Sequence, residues 1–195
     1  MENRGKLIVL SGPSGVGKGT VIEALMEDYQ DIAYSISATT RKPRSSEKDG
    51  VDYFFLSEAE FQQLVEEDEF IEWAQVHGNY YGTPKSYVEE TLNAGQDVIL
   101  EIDIQGAVQV KEKCEQNVCV EGIFIFLAPP SLAELENRIR ERDADSEAEM
   151  ELRMDNATQE MKMAEEYDYI VVNDQVEQAV EKIKAIIIAE RCKVD

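Results

Sequence analysis

A short apolar run, Leu7-Ile8-Val9-Leu10, leads directly into Gly12-Pro13-Ser14-Gly15-Val16-Gly17-Lys18-Gly19-Thr20, and an apolar pattern at helical spacing follows in Val21, Ile22, Leu25 and Met26. No other stretch constrains the fold as tightly. A buried strand, a glycine-rich turn and a helix N-terminus, in that order, converge backbone N–H groups on one point. The helix end adds partial positive charge there, and Lys18 can reach the outer oxygens of a phosphate chain. The segment therefore predicts a strand from Lys6 to Ser11, a phosphate cradle, and a helix from Lys18 to Tyr29. Gly19 stands where a Ser or Thr usually follows the lysine, with Thr20 one place later. The usual hydroxyl ligand for Mg²⁺ is thus displaced: Thr20 binds phosphate, or the ion is held by waters and ligand oxygens.

Strand and helix patterns alternate through most of the remaining chain. Asp97 to Ile102, Gly122 to Ala128 and Asp168 to Val172 read as buried strands, and Ile104 to Cys114, Leu132 to Arg142, Glu147 to Glu166 and Val176 to Arg191 as helices. This alternation predicts an α/β fold with a mostly parallel sheet covered by helices on both faces. Val98 to Asp103 has the general form of a Walker-B strand; the other reading of Glu101 and Asp103 is a strand end in an acidic protein. Between about Ser37 and Gly82 the rhythm changes. Tyr53 to Leu56, Phe70 to Val76 and Asn79 to Gly82 read as short strands around a helix capped by Ser57 and Glu60, which predicts an inserted, mainly antiparallel lobe. Thr83 followed by Pro84 reads as an N-cap and first helical position, with the helix stopping at Gly95. Ser131 with Glu134 and Ser146 with Glu149 form two more capping boxes, joined around Asp143 to Asp145. The expected organisation is one domain over 1–195, with a core of 1–36, 94–128 and 165–195, a lobe of 37–93 and a helical lid of 129–164.

The 41 Asp and Glu against 19 Lys and Arg give a net charge of −22. That balance argues against nucleic acid and anionic membranes, which need a basic footprint, but not against small anions met by local positive charge. No apolar run is long enough to span a membrane. Cys114, Cys119 and Cys192 form no even framework, which favours reduced, partly buried thiols and a cytoplasmic setting. The positive charge is concentrated. Arg41, Lys42, Arg44 and Lys48 cluster in one stretch and Arg138, Arg140 and Arg142 in another, while no Lys or Arg occurs from Asp49 to Pro84. Arg140 beside Glu136 also suits an ordinary helix-surface pair. Pro43 and the β-branched pair before Arg41 favour an extended loop, from which two arginines can fork onto one phosphate. A second anion site, distinct from the glycine loop, implies a donor and an acceptor.

Taken together, GPSGVGKGT at 12–20, SATTRKPRSSEKDGVDYFF at 37–55, FIEWAQVHGNYYGT at 70–83, LEIDIQGA at 100–107, FLAPPS at 126–131, RIRERDADSE at 138–147 and YIVVND at 169–174 resemble the guanylate kinases over nearly the full chain. The resemblance implies Mg²⁺-dependent phosphoryl transfer from ATP to GMP, with dGMP as a further acceptor, in purine nucleotide metabolism and GTP supply. It implies a P-loop NTPase-type core with a GMP-binding lobe and a lid. It assigns Gly12, Pro13, Ser14, Gly15, Val16, Gly17, Lys18, Gly19, Thr20 and Asn173 to ATP. It assigns Ser37, Arg41, Arg44, Glu47, Tyr53, Glu72, Tyr81, Thr83, Glu101 and Asp103 to GMP, with Arg41, Arg44, Tyr53 and Tyr81 on the acceptor phosphate and Ser37, Glu72 and Thr83 on guanine. Lys18, Arg41, Arg138, Arg142 and Arg153 are the implied catalytic residues. Mg²⁺ is held through ATP phosphates and water, with Thr20 and Asp103 as candidate protein ligands.

The chemistry agrees with these roles. Guanine presents N1–H and N2–H donors that a carboxylate such as Glu72 accepts, whereas adenine has an unprotonated N1 there. On composition alone Glu72 would be an exposed strand carboxylate, and Trp73 and Tyr80 core aromatics. Glu141 and Asp143 stand where the family commonly has glycines, and can pair with the lid arginines in an open state. Glu101 stands where Asp is usual. The alternatives are a kinase for another nucleoside monophosphate or small phosphate, a non-catalytic interaction domain and a nucleotide-regulated switch. Monomer and homo-oligomer are both compatible with the sequence.

Overall fold

The computed structural model describes residues 4–76, 78–116, 122–142 and 147–194. Cys119, the Asp143 to Asp145 joint, the Ser146 cap and the side chain of Arg142 lie outside the described residues. A five-stranded sheet runs in the order β2-β7-β1-β8-β9, formed by β1 (Leu7–Ser11), β2 (Ile32–Tyr34), β7 (Asp97–Glu101), β8 (Gly122–Ala128) and β9 (Tyr169–Val172). The β2–β7 and β8–β9 pairs are parallel. Its central strands are apolar almost throughout and buried, as strands covered on both faces must be. The accompanying helices are α1 (Lys18–Asp28), α4 (Ile104–Glu115), α5 (Leu132–Arg142), α6 (Glu147–Lys162), a 3₁₀ turn (Met163–Glu166) and α7 (Val176–Arg191). Val21, Ile22 and Leu25 of α1 and Ala179, Val180, Ile183 and Ile187 of α7 are buried, the spacing of one helical face.

The second sheet has four strands in the order β4-β3-β6-β5: β3 (Ala38–Thr39), β4 (Phe54–Phe55), β5 (Phe70–Val76) and β6 (Asn79–Pro84). Its β5–β6 and β3–β6 pairs are antiparallel, and β3–β4 is parallel. One face packs on Phe61 of α2 (Glu58–Glu66), with Ala38, Phe70, Phe54, Leu56, Leu64 and Tyr80. The Ser57 and Glu60 capping box forms reciprocally. Trp73, expected as a core aromatic, is 37% exposed, because it stands on the last strand of the sheet, beyond Tyr80. The strands β2 and β3 were too short to leave a pattern in the sequence.

Thr83 does not cap the next helix. It belongs to β6, its hydroxyl donates to Glu72, and Pro84 becomes the N-cap of α3 (Lys85–Asn93) without a side-chain bond. A ladder position and a buried carboxylate outcompete the cap. The stop at Gly95 does form: Gly95 has φ 86°, its N–H reaches Leu92 O, and Gln96 N–H reaches Thr91 O, a Schellman ending. Cys114, expected as a thiol, is disulfide-bonded, while Cys192 is a free, exposed thiol. Among the described residues no helix is long and apolar enough to cross a membrane.

By compactness the chain divides into two units, one from 1–7, 32–100 and 105–122, the other from 8–31, 101–104 and 123–195. The first holds the four-stranded sheet with α2, α3 and nearly all of α4. The second holds the glycine loop with α1, α5, α6 and α7.

Candidate active site

In the second unit the loop after β1 takes left-handed conformations at Gly15 (φ 82°) and Gly17 (φ 96°), which glycine alone adopts at no steric cost. Gly12 answers a different demand, since a Cβ there would lie 2.2 Å from Leu127 O. Gly17 caps α1 with no side-chain bond and no acid follows in the first turn, so the helix presents its N–H groups without an internal anion. Lys18 Nζ donates to Gly12 O at 2.7 Å and to Pro13 O at 3.2 Å, folding the side chain back over its own loop.

Asn173 is buried rather than displayed. Its Nδ2 donates to Val16 O at 2.8 Å, and Arg138 donates to Asn173 O at 3.0 Å and to Glu134 at 3.1 Å. These bonds buttress the loop from β9 and α5. Arg140 pairs with Glu136 at 2.8 Å, the helix-surface alternative, and Arg138 takes Glu134 as its carboxylate, with Glu141 exposed. Arg153 stands on α6, half-buried.

Glu101 ends β7, and both its carboxylate oxygens are 3.8 Å from where a Cβ on Gly19 would sit. A Cβ at 19 would thus stand in ordinary contact with a carboxylate at the start of α1. Asp103 follows two residues later. One residue here escaped sequence reasoning: Glu160 of α6. Its carboxylate accepts the Ser14 backbone N–H and faces Lys18 and Asp103. Burial pushes this carboxyl above its usual range, with Asp103 adding to the rise and Lys18 and the Ser14 bond opposing it. Glu160 follows Arg153 by seven residues, two turns on one helix face, but a carboxylate on so acidic a helix gave no local contrast.

In the first unit the register orders the remaining candidates. Glu72 pairs with Thr83 and Ala74 with Tyr81 across β5–β6, and Tyr81 pairs with Thr39 across β6–β3. Ser37, directly before β3, comes level with Thr83. Because alternate residues share a face, Ser37, Thr39, Tyr81, Thr83 and Glu72 fall on the face opposite Phe61. Glu72 is 5% exposed and Thr83 1%, and Thr83 Oγ1 donates to Glu72 Oε1 at 2.6 Å. A carboxylate this buried is costly unless hydrogen-bonded.

Beyond Tyr81 lies a cationic corner. Arg41 donates to both Glu47 oxygens, at 3.0 and 2.8 Å, and its guanidinium carbon is 5.3 Å from the centre of the Tyr53 ring. Tyr53 and Tyr81 meet edge to face at 6.2 Å. The bond to Glu47 raises the Arg41 guanidinium above its ordinary value, and the same bond holds the Glu47 carboxyl below its own. Glu47 also accepts the Arg44 backbone N–H at 2.7 Å, leaving the Arg44 side chain at the exposed surface.

A family model described as "Guanylate kinase" matches residues 4–190. A guanylate kinase of Caldanaerobacter subterraneus subsp. tengcongensis is 55% identical over 195 residues, covering 100% of this chain and 92% of that protein. One of Latilactobacillus sakei is also 55% identical, covering 100% and 94%. The crystal structure of guanylate kinase from Anaplasma phagocytophilum superposes with a TM-score of 0.80 at 34% identity, covering 100% of this chain and 90% of that one. With glycine loop, α/β core and buried carboxylate lobe on one chain, and such likeness along its whole length, this protein belongs to the guanylate kinase family.

Proposed function

We infer that the chain transfers the terminal phosphoryl group of ATP to GMP, giving ADP and GDP, with dGMP accepted in place of GMP. The observation that carries the reading is the buried Glu72–Thr83 pair on the same sheet face as Tyr81. A carboxylate already desolvated and oriented is matched to a base that offers two adjacent donors, as guanine does. Along the same face, Tyr81, Tyr53, Arg41 and Arg44 suit the acceptor phosphate, and Ser37 lies level with the base-reading pair. Glu47 serves by fixing the plane of the Arg41 guanidinium with two parallel bonds.

On the donor side, residues 12–20 other than Pro13 supply backbone N–H groups for the ATP phosphates, and Lys18 leaves its loop carbonyls to meet their outer oxygens. Asn173 serves the donor by holding Val16. Arg138, Arg142 and Arg153 neutralise charge during transfer. The acceptor needs no general base, because a phosphomonoester is largely dianionic at pH 7, its second pKa being about 6. An oxygen of GMP attacks the γ-phosphorus, the bond to the β,γ-bridging oxygen breaks, and ADP leaves with that electron pair. The protein's work is to position two anions, screen their repulsion and exclude water.

Mg²⁺, which Thr20 and Asp103 would help hold, would withdraw charge from the transferring group. The donors fit such an ion: Thr20, Asp103 and Glu101 offer only oxygens, as a hard cation prefers. No group of three or more acidic, His or Cys ligands occurs among the described residues, so nucleotide oxygens and water would complete its shell. A cytoplasmic location belongs to the same proposal.

ADP release measured with GMP, dGMP, AMP and UMP side by side tests the reading. GMP and dGMP are expected to be turned over and AMP and UMP not; preference for another acceptor would make this a kinase of different specificity.

A further inference from the structure

Strand β5, which carries Glu72, is the last strand of its sheet. Among the described residues, one line of its backbone N–H and C=O groups therefore has no strand beyond it, and such an edge is soft unless another element covers it. Here a side chain does so. Gln109 of α4 accepts the Trp73 N–H on Oε1 at 3.3 Å and donates from Nε2 to the Trp73 C=O at 2.8 Å. A primary amide carries one donor group and one acceptor in the geometry of a peptide, so Gln109 completes the ladder at Trp73 as a neighbouring strand would. One helical turn further, Lys113 Nζ donates to Phe70 C=O at 2.9 Å and lies 3.7 Å from Asp68. The other Asp68 oxygen pairs with Lys85 at 2.8 Å. The two clamps fall on either side of Glu72.

The position between the clamps is where support matters. The register of β5 shifts between Phe70 and Glu72, so the ladder is irregular just where the carboxylate leaves the strand. On the other side Gly82 is packed tightly, a Cβ there being 3.0 Å from both Trp73 Cβ and Phe70 Cδ1. The strand thus meets close packing from β6 and hydrogen bonds from α4. With its backbone held at Phe70 and Trp73, Glu72 keeps the direction in which Thr83 meets its carboxylate.

We propose that Gln109, assisted by Lys113, is a positioning residue for guanine selection: its amide pins the β5 edge at Trp73 and so aims the Glu72 carboxylate at the base. The proposal rests on the reading of Glu72 as the guanine-reading group. Gln109 does not touch the nucleotide. Its effect is expected in acceptor affinity and base discrimination and not in the transfer step.

The test compares GMP with inosine 5′-monophosphate, which keeps N1–H but lacks the exocyclic amine. Gln109→Met keeps the length of the side chain without either bond, and Gln109→Glu keeps the acceptor but sets a carboxylate against the Trp73 carbonyl. Both are expected to raise KM for GMP about 5- to 30-fold, the scale of a misaligned hydrogen bond to a charged group. The GMP-over-IMP ratio of kcat/KM falls with it, while kcat and KM for ATP stay within about 2-fold. Lys113→Met, at the second clamp, is expected to produce the same pattern at about 2- to 5-fold, and it serves as the variant if substitution at Gln109 prevents folding. A wild-type GMP-over-IMP ratio in the folded variants, whatever their Tm, overturns the proposal. Glu72→Gln in the same assay separates the two claims. If it leaves the ratio unchanged, the reading of Glu72 itself fails; if it collapses the ratio while the clamp variants do not, only the clamp fails.

Discussion

The glycine loop and the carboxylate lobe, proposed above for the phosphates and for the base, are built by opposite means. The loop uses backbone: left-handed glycines, the bare N-terminus of α1, and a close approach at Gly12 that leaves no room for a side chain. The lobe uses side chains set by strand register, with Glu72 and Thr83 buried against each other and Arg41 fixed by Glu47. A phosphate is nearly the same object in every nucleotide, so a cradle of identical N–H groups suits it. A base differs from other bases only in where its donors and acceptors lie, so reading it takes a buried group whose mismatch is costly. On the proposed reading the loop would supply binding and charge, and the lobe would supply choice.

This comparison breaks most openly at Lys18. Lys18→Ala is expected to lower kcat/KM about 10³-fold or more, equally for every acceptor, with the fold retained. Steady-state rates with GMP and dGMP check this; near-normal turnover, or a change in acceptor preference, would break the division between charge and choice. Glu72→Gln should do the reverse. Loss of kcat/KM for GMP of about 10²-fold is expected, with KM for ATP held, because the amide puts a donor where guanine also donates. A uniform loss across acceptors would make Glu72 a structural residue instead.

The smallest effect sharpens the loop's side. Glu160 places a carboxylate on a loop amide, in the region proposed for the donor phosphates. Glu160→Gln keeps an acceptor for the Ser14 N–H and removes the charge. KM for ATP is expected to fall about 3- to 10-fold, as for charges a few ångström apart. The sign with pH follows from the raised carboxyl. Wild type carries the charge only above that raised value, so the two proteins differ above it and converge as pH falls through it. The native state also holds this proton more tightly than the unfolded chain, so ionisation costs stability as pH rises. The variant should be at least as heat-stable as wild type at pH 8. A difference in KM that grows toward acid pH would remove Glu160 from the loop's electrostatics.

Much of the fold was legible because its signals are local. β8 and α7 occupy the spans read from their apolar runs, and Ser57 with Glu60 caps α2 as its spacing required. Thr83 misled for an instructive reason: Thr before Pro is a sound helix-start signal, yet a ladder position and a buried carboxylate bind that hydroxyl more strongly than a helix end does. Gln109 and Glu160 left no mark in the sequence. An amide on a helix and an acid among acids look like ordinary surface until another segment is placed against them.

The sequence alone determined the glycine loop, the α/β alternation and the two concentrations of positive charge, since each depends on residues near one another along the chain. Only the tertiary structure decided which carboxylates are held by what: Glu72 by Thr83, Glu47 by Arg41, Glu160 by the Ser14 amide. The Glu72 and Glu160 pairings depend on strand register and helix packing, which join residues distant in the chain, while Arg41 and Glu47 meet across six residues of one loop. In a chain with 41 acids, composition cannot tell the few that are buried and aimed from the many that face water.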